Sequence, residues 1–212
     1  MKLMMFDHCS LCFRVRMIAA LKGLHLVEQV VEDDDSAAMT DLVGRRVIPI
    51  LVLDNGTPML ESWDMVAHID AIGAPMLTGP ERPEIAALAE RILEITPNLT
   101  MPRYALLPLR EFRTVAARDH FLVRKRAGYP DMEGLRARTR EFLAELKPVL
   151  EDLAGEIAAP EAINGELSKD DLRIVPLLRS AAVVEGLEMP APVEAYFKTM
   201  MGRVGARPLP TV

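Results

Sequence analysis

One segment divides the chain, because its composition is incompatible with regular secondary structure. Residues 73–83, GAPMLTGPERP, contain two glycines and three prolines in eleven positions, the residue types that end helices and strands. Before this segment the apolar residues alternate between strand and helix spacing, and beyond it they keep helical spacing almost throughout. The sequence therefore predicts two domains, residues 1–73 and 84–212, joined by a linker at 74–83.

The first domain shows a regular alternation of strand and helix signals. A short apolar run predicts a strand at residues 2–6, and apolar positions three and four apart predict a helix over 10–22. A β-branched stretch at 26–31 and a short helix at 36–43 follow. The segment IPILVLDNGTPMLES places an Asn-Gly turn between two apolar runs, which predicts a hairpin. Ser62 is expected to cap the last helix, so the predicted order is βαβαββα.

The second domain is predicted to be all-helical. Ser168 and Asp171 have the spacing of a capping box, in which the Ser168 hydroxyl and the Asp171 carboxylate satisfy backbone N–H groups at a helix start. Four prolines are predicted to kink or break the helices, at positions 97, 102, 108 and 148.

Composition and charge exclude several classes of protein. Half of the 212 residues are apolar, enough for a real core. The net charge of -6 comes from acidic and basic residues mixed along the chain, so a nucleic acid is not an expected partner. No stretch approaches the ~18 apolar residues of a membrane span, and the N-terminus lacks a signal-peptide apolar region. We expect a cytoplasmic protein without a membrane partner.

The two cysteines of the chain, Cys9 and Cys12, directly follow the first predicted strand and open the first predicted helix. This spacing on a helix brings both side chains to one face, so the sulfurs can form a reversible disulfide with little backbone movement. At the helix start, unpaired N–H groups and the helix dipole favour thiolate over thiol. We therefore predict that Cys9 is the attacking sulfur and Cys12 the resolving one.

Two other interpretations of this pair stay open. A structural zinc site needs four ligands, and the remaining histidines lack the spacing of a second ligand pair, so no metal is predicted. Two inert thiols are the other alternative, because Cys12 falls on the buried face of its helix. His8 precedes Cys9 and is able to tune it, although a loop histidine is more often an exposed residue.

The motifs DHCSLC, VIPIL, ESWDMVAHID, PMLTG and INGELSKDDL, in this order and spacing, resemble the thioredoxin superfamily and within it the two-domain glutaredoxin-2 type. The resemblance covers nearly the whole chain. It implies an α/β thioredoxin-like N-terminal domain and an all-α glutathione-transferase-like C-terminal domain. It also implies a glutaredoxin, a glutathione-dependent thiol-disulfide oxidoreductase that takes glutathione as co-substrate and reduces protein-glutathione mixed disulfides and protein disulfides.

The same resemblance implies roles for four further positions. Pro49 matches the cis proline of the superfamily, next to which the backbone of Ile48 pairs with the cysteine of glutathione as a short added strand. Glu61 and Ser62 match a Glu-Ser pair that binds the γ-glutamyl end, Ser62 holding its carboxylate and Glu61 its ammonium. Without the family, Pro49 would only begin an edge strand and Ser62 would only cap a helix.

The cysteine motif departs from the family between its two sulfurs. Dithiol glutaredoxins carry Pro-Tyr there, whereas this chain has Ser10 and Leu11. Ser10 brings an N–H and a hydroxyl near the Cys9 sulfur, and we count it among the residues of the glutathione site. Serine at this position accompanies some family members that hold a 2Fe–2S cluster with glutathione, so a cluster carrier is one alternative function and a glutathione transferase is another. We expect a monomer whose partners are glutathione and disulfide-containing or glutathionylated proteins.

Overall fold

The computed structural model describes all 212 residues of the chain. The predicted order βαβαββα is confirmed in the first 70 residues. Its elements are β1 (Lys2–Met5), α1 (Ser10–Leu21), β2 (Val27–Val30), α2 (Ala37–Val43), β3 (Ile50–Val52), β4 (Pro58–Met59) and α3 (Ser62–Asp70). Local hydrophobic periodicity was sufficient to place each of them.

The four strands form one mixed sheet in the order β2-β1-β3-β4. β1 pairs with β2 in parallel and with β3 antiparallel, so that Leu3 lies opposite Glu28 on one side and Leu51 on the other. Leu3, Met4 and Met5 are all buried. Because successive side chains of a strand point to opposite faces, the sheet is covered on both faces around β1. The chain leaves this central strand directly into the turn that carries the cysteine motif.

Helices pack on the sheet and hold the start of α1 in place. α1 packs against α3, and it buries most of its side chains, including Cys12, Phe13 and Met17. A second cluster of buried apolar side chains contains Met4, Phe6, Val31, Met39 and Ile50. Cys9 and Ile48, both partly buried, pack against this second cluster. Two sequence-distant segments of the expected site therefore adjoin the same core.

By their internal contacts, the residues of the chain group into two compact units. The first unit contains Met1–Ala74 together with Tyr104–Pro130, and the second contains Pro75–Arg103 and Asp131–Val212. Residues 104–130, which the sequence placed in the second domain, thus belong with the first unit. They contain a short 3-10 helix, Arg110–Phe112, and the helix Val115–Lys125. Helical periodicity identifies a helix but does not say which core it joins.

The remaining elements are helical, as predicted. They are α4 (Pro83–Tyr104), α5 (Val115–Lys125), α6 (Met132–Ala137), α7 (Thr139–Glu156), α8 (Lys169–Ala181) and α9 (Ala191–Arg203). The predicted capping box is present at the start of α8, where the Ser168 N–H donates to Asp171 Oδ2 at 2.8 Å. Pro97, Pro102 and Pro148 lie inside helices and do not end them. None of the helices is both long and apolar enough to span a bilayer.

Candidate active site

Cys9 is the N-cap residue of α1. Its backbone is extended, with φ -71° and ψ 117°, and the helix begins at Ser10. The Cys12 N–H donates to Cys9 Sγ at 3.3 Å. The sulfur therefore occupies the position where a helix offers backbone donors and the positive end of its dipole. The Ser10 hydroxyl makes no hydrogen bond to this sulfur.

The pKa values of the two thiols are shifted in opposite directions. The pKa of Cys9 is lowered to about 7, mainly because the Cys12 thiol donates a hydrogen bond to its sulfur. Burial opposes this shift, while the backbone N–H of Cys12, the charge of His8 and the N–H of Leu11 support it. Cys12 is completely buried, and burial together with the neighbouring Cys9 raises its pKa well above the usual range. Both cysteines are free thiols, so the pair is arranged as an anion and a proton-bearing partner.

His8 is buried, which corrects the expectation of an exposed loop histidine. Its Nδ1 lies 2.6 Å from Glu111 Oε1, and the same oxygen accepts the His8 backbone N–H at 2.9 Å. Glu111 is completely buried within the 3-10 helix of the first unit. No sequence signal pointed to Glu111, because 103 residues separate it from His8.

The Ile48-Pro49 peptide bond is cis. Pro49 is buried, and Ile48 is partly buried at the apolar cluster that Cys9 also contacts. Both residues immediately precede β3, whose pairing with β1 begins at Ile50. The structure thus brings this segment and the start of α1 to the same part of the first unit.

Glu61 and Ser62 lie at the start of α3, but Ser62 is not the cap that the sequence predicted. The N-cap position is occupied by Glu61, which is exposed and makes no side-chain capping bond. Ser62 is the first helical residue, and its Oγ accepts a hydrogen bond from Arg14 Nη1 at 3.0 Å. The Arg14 guanidinium also lies over the Trp63 ring, 3.9 Å from its centroid. Arg14 thereby connects the helix that carries both cysteines to the first turn of α3.

No group of three or more His, Cys, Asp or Glu side chains is placed to hold a metal ion. These side chains offer a thiol with a lowered pKa, Cys9, beside a buried thiol with a raised pKa, Cys12. A positively charged helix start with a buried hydroxyl and a guanidinium adds a second polar feature, suited to a carboxylate.

Comparison with known proteins agrees with this arrangement. Residues 8–72 match the N-terminal domain of glutathione S-transferases, and residues 84–209 match the C-terminal domain of glutaredoxin 2. Glutaredoxin 2 of Escherichia coli strain K12 is 36% identical over 201 residues, covering 94% of both chains. The crystal structure of glutaredoxin 2 from Salmonella typhimurium in complex with glutathione has a TM-score of 0.95 and 33% identity, covering 98% of this chain and 96% of that one. A glutathione S-transferase from Xanthobacter autotrophicus, 18% identical with a TM-score of 0.62, covers 99% of this chain and 96% of its own and shares the fold.

The fold and the cysteine pair define a thioredoxin-like oxidoreductase domain followed by a helical domain of the glutathione-transferase type. The chain belongs to the glutaredoxin 2 family and is accordingly a glutathione-dependent oxidoreductase with glutathione as co-substrate. The predicted fold class and enzyme class are thereby confirmed.

The lowered pKa of Cys9 predicts how its reactivity depends on pH. A thiolate is the form that iodoacetamide alkylates. We expect alkylation of Cys9 in the reduced protein to accelerate as the pH rises, to be half-maximal at a pH of about 7 and to level off at higher pH, whereas Cys12 stays unreactive over this range. Peptide mass spectrometry at a series of pH values measures both rates. A Cys9 profile that still rises steeply at pH 9 would contradict the prediction, and the Cys9→Ser variant provides the background.

Proposed function

We propose that the protein reduces protein-glutathione mixed disulfides and protein disulfides, with Cys9 as the nucleophile and Cys12 as the resolving thiol. The single observation that carries this proposal is that, at the start of α1, the pKa of Cys9 is lowered while that of Cys12 is raised. Thiol-disulfide exchange begins with attack by a thiolate, so the sulfur with the lowered pKa reacts first, and the thiol that is still protonated is left to resolve a mixed disulfide.

For a glutathionylated protein, the Cys9 thiolate attacks the glutathione sulfur and the protein thiolate leaves, taking up a proton. The resulting bond between Cys9 and glutathione is broken by a second glutathione thiolate, which releases glutathione disulfide and restores the Cys9 thiolate. No net change occurs in the enzyme: one free glutathione is consumed, and it leaves joined to the glutathionyl group of the substrate as glutathione disulfide while the protein regains its thiol.

For a protein disulfide, Cys9 attacks one sulfur and forms a mixed disulfide with the substrate. Cys12 then loses its proton and attacks Cys9 Sγ, so that the substrate leaves as a dithiol and Cys9 and Cys12 are joined. Two glutathione molecules reduce this internal disulfide and leave as glutathione disulfide. The spacing of the two cysteines and the bond from the Cys12 thiol to Cys9 support this step.

We place glutathione along Ser10, Ile48, Pro49, Glu61 and Ser62. The backbone of Ile48 would pair with the cysteinyl residue, and Pro49 would cover it. The γ-glutamyl carboxylate fits the start of α3, where Ser62 accepts from Arg14 and the positive end of the helix dipole favours an anion. The exposed carboxylate of Glu61 is available for the ammonium. The Salmonella typhimurium relative was crystallised with glutathione, which supports this proposal for the family.

Trapping the first intermediate tests the assignment of the two sulfurs. In the Cys12→Ser variant, glutathione disulfide is expected to modify Cys9 stoichiometrically, because no internal thiol remains to displace the glutathione. The unmodified protein under the same conditions is expected to collect as the Cys9–Cys12 disulfide instead. Intact-mass and peptide mass spectrometry distinguish these products. Glutathione attached to Cys12 in a Cys9→Ser variant, at a rate equal to that on Cys9, would contradict the assignment.

A further inference from the structure

The buried pair of His8 and Glu111 has no place in the proposed exchange reactions, yet His8 directly precedes Cys9 in the chain and the charge of Glu111 acts on Cys12. One oxygen of Glu111, Oε1, accepts both N–H groups that His8 offers to it, from the backbone at 2.9 Å and from Nδ1 at 2.6 Å. The other oxygen, Oε2, is buried and has no hydrogen-bond partner. An unpaired carboxylate oxygen in a core is costly, and a structure that keeps one calls for an explanation.

Glu111 is held in place from two sides. Arg110, its neighbour in the 3-10 helix, forms a bidentate ion pair with Asp7, at 2.9 Å from Nε and 2.7 Å from Nη2. On the other side, the Glu111 carbonyl accepts the Asp33 N–H at 3.0 Å. These contacts of Arg110 and of the Glu111 backbone therefore fix the position from which the Glu111 carboxylate reaches His8.

His8 lies between a buried carboxylate and several aromatic rings. A completely buried carboxylate needs a cation beside it, and His8 is the side chain that Glu111 binds. Aromatic rings also surround the imidazole, with those of Phe6 and Phe112 stacked on it and that of Phe121 nearly perpendicular to it. The ring centroids lie 4.6–5.7 Å from that of His8 and belong to Phe6, Tyr104, Phe112 and Phe121.

The two charges of this pair act on different sulfurs. The positive charge of His8 lowers the pKa of Cys9, and the negative charge of Glu111 raises the pKa of Cys12. Lys125, on α5, is a further charged group that interacts with Cys9. Unlike Lys125, the His8–Glu111 pair acts on Cys9 and Cys12 in opposite directions.

We propose that Glu111 is a positioning residue for the thiol chemistry, which holds His8 as a cation beside Cys9 and keeps the proton on Cys12 by its own charge. This inference rests on the proposed roles of the two cysteines and adds a pair of charges that increases the difference in acidity between them. Glu111 touches no reacting atom, and its effect on Cys9 passes through His8.

Titration of both thiols in matched variants tests the proposal. Glu111→Gln keeps the shape and the acceptor oxygen but removes the charge, so we expect the pKa of Cys9 to rise by about one unit and that of Cys12 to fall. His8→Asn is expected to raise the pKa of Cys9 by a similar amount and to leave that of Cys12 in place. Carbon NMR of the cysteine Cβ atoms follows both groups in the same reduced sample. Glu32→Gln, which removes a carboxylate that pairs with Arg113 at 2.8 Å, is the control and should shift neither thiol.

The double variant separates an electrostatic role from a structural one. Adding Glu111→Gln to His8→Asn should raise the pKa of Cys9 no further, because the cation that Glu111 holds is already absent. Additive shifts of Cys9, or an unchanged pair of pKa values in Glu111→Gln, would overturn the proposal. If Glu111→Gln does not fold, His8→Asn alone decides, since an unshifted Cys9 there would also overturn it. None of these titrations requires turnover, so an active Cys9→Ser variant would refute the proposed function separately.

Discussion

Replacing Cys9 with serine is expected to lower the rate of deglutathionylation by at least about a thousandfold, because the nucleophile is lost. A serine hydroxyl at the start of α1 is not ionised near neutral pH, whereas the pKa of the Cys9 thiol is about 7. The measurement is oxidation of NADPH by glutathione reductase in the presence of glutathione and a glutathionylated protein. Substantial activity in Cys9→Ser would contradict the assignment of the nucleophile.

The matched variant is Cys12→Ser, which removes the second sulfur and keeps the first. We expect it to retain part of the deglutathionylation activity, since a second glutathione resolves the intermediate without Cys12. Reduction of a protein disulfide, followed with insulin or a similar substrate, should be lost. The completely buried Cys12 is well placed for an internal attack and poorly placed for attack on an external substrate.

This pair of results also separates the proposed reaction from a glutathione transferase. A transferase would conjugate an aryl halide with glutathione and would be indifferent to Cys12. Equal turnover of an aryl halide by the unmodified protein and by Cys12→Ser, without disulfide reduction by either, would favour that alternative.

Replacing Asp171 with alanine is expected to destabilise the second unit by about 3–5 kcal/mol. Asp171 is completely buried, and its carboxylate accepts hydrogen bonds from the N–H groups of Ile163 and Ser168 and from the hydroxyl of Tyr196, each at 2.8 Å. The Ser168 hydroxyl donates to it as well, at 3.3 Å. Removal of the carboxylate leaves these buried donors without their acceptor, and each unsatisfied donor costs about 1–3 kcal/mol. The capping box at the start of α8 is lost as well.

Urea unfolding followed by far-ultraviolet circular dichroism measures this loss. The control is Asp152→Ala, which removes an exposed ion pair with Arg91 and should cost at most about 1 kcal/mol. Tyr196→Phe removes only one of the donors to Asp171. Its loss of stability should therefore lie between those of Asp171→Ala and Asp152→Ala. An Asp171→Ala protein that unfolds at the same urea concentration as the control would show that the network contributes little.

The order of elements and the position of the cysteines were predictable because both are local properties. A strand needs a few residues of β-branched or apolar character, a hairpin needs its Asn-Gly turn, and a capping box needs residues three apart. The start of α1 likewise followed from the residues around Cys9. Of the prolines predicted to kink or break helices, Pro97, Pro102 and Pro148 lie inside helices that continue through them.

The contacts that shape the site were not local, and the sequence carried no signal for them. Arg14 and Ser62 are 48 residues apart, and their hydrogen bond changes Ser62 from an expected cap to a buried acceptor. Residues 104–130 have the same helical pattern as their neighbours, but they fold with the first unit.

By itself, the sequence of this protein determined which segments are helical or extended, where the turns fall, and that two sulfurs share the first turn of a helix. Only the tertiary structure decided that Glu111 lies beside His8 and that Cys12 is completely buried, which adds to the difference between the two thiols that the helix start already predicted. The physical reason is that backbone preferences act over a few residues, whereas burial and charge depend on which distant segments come to lie around a group.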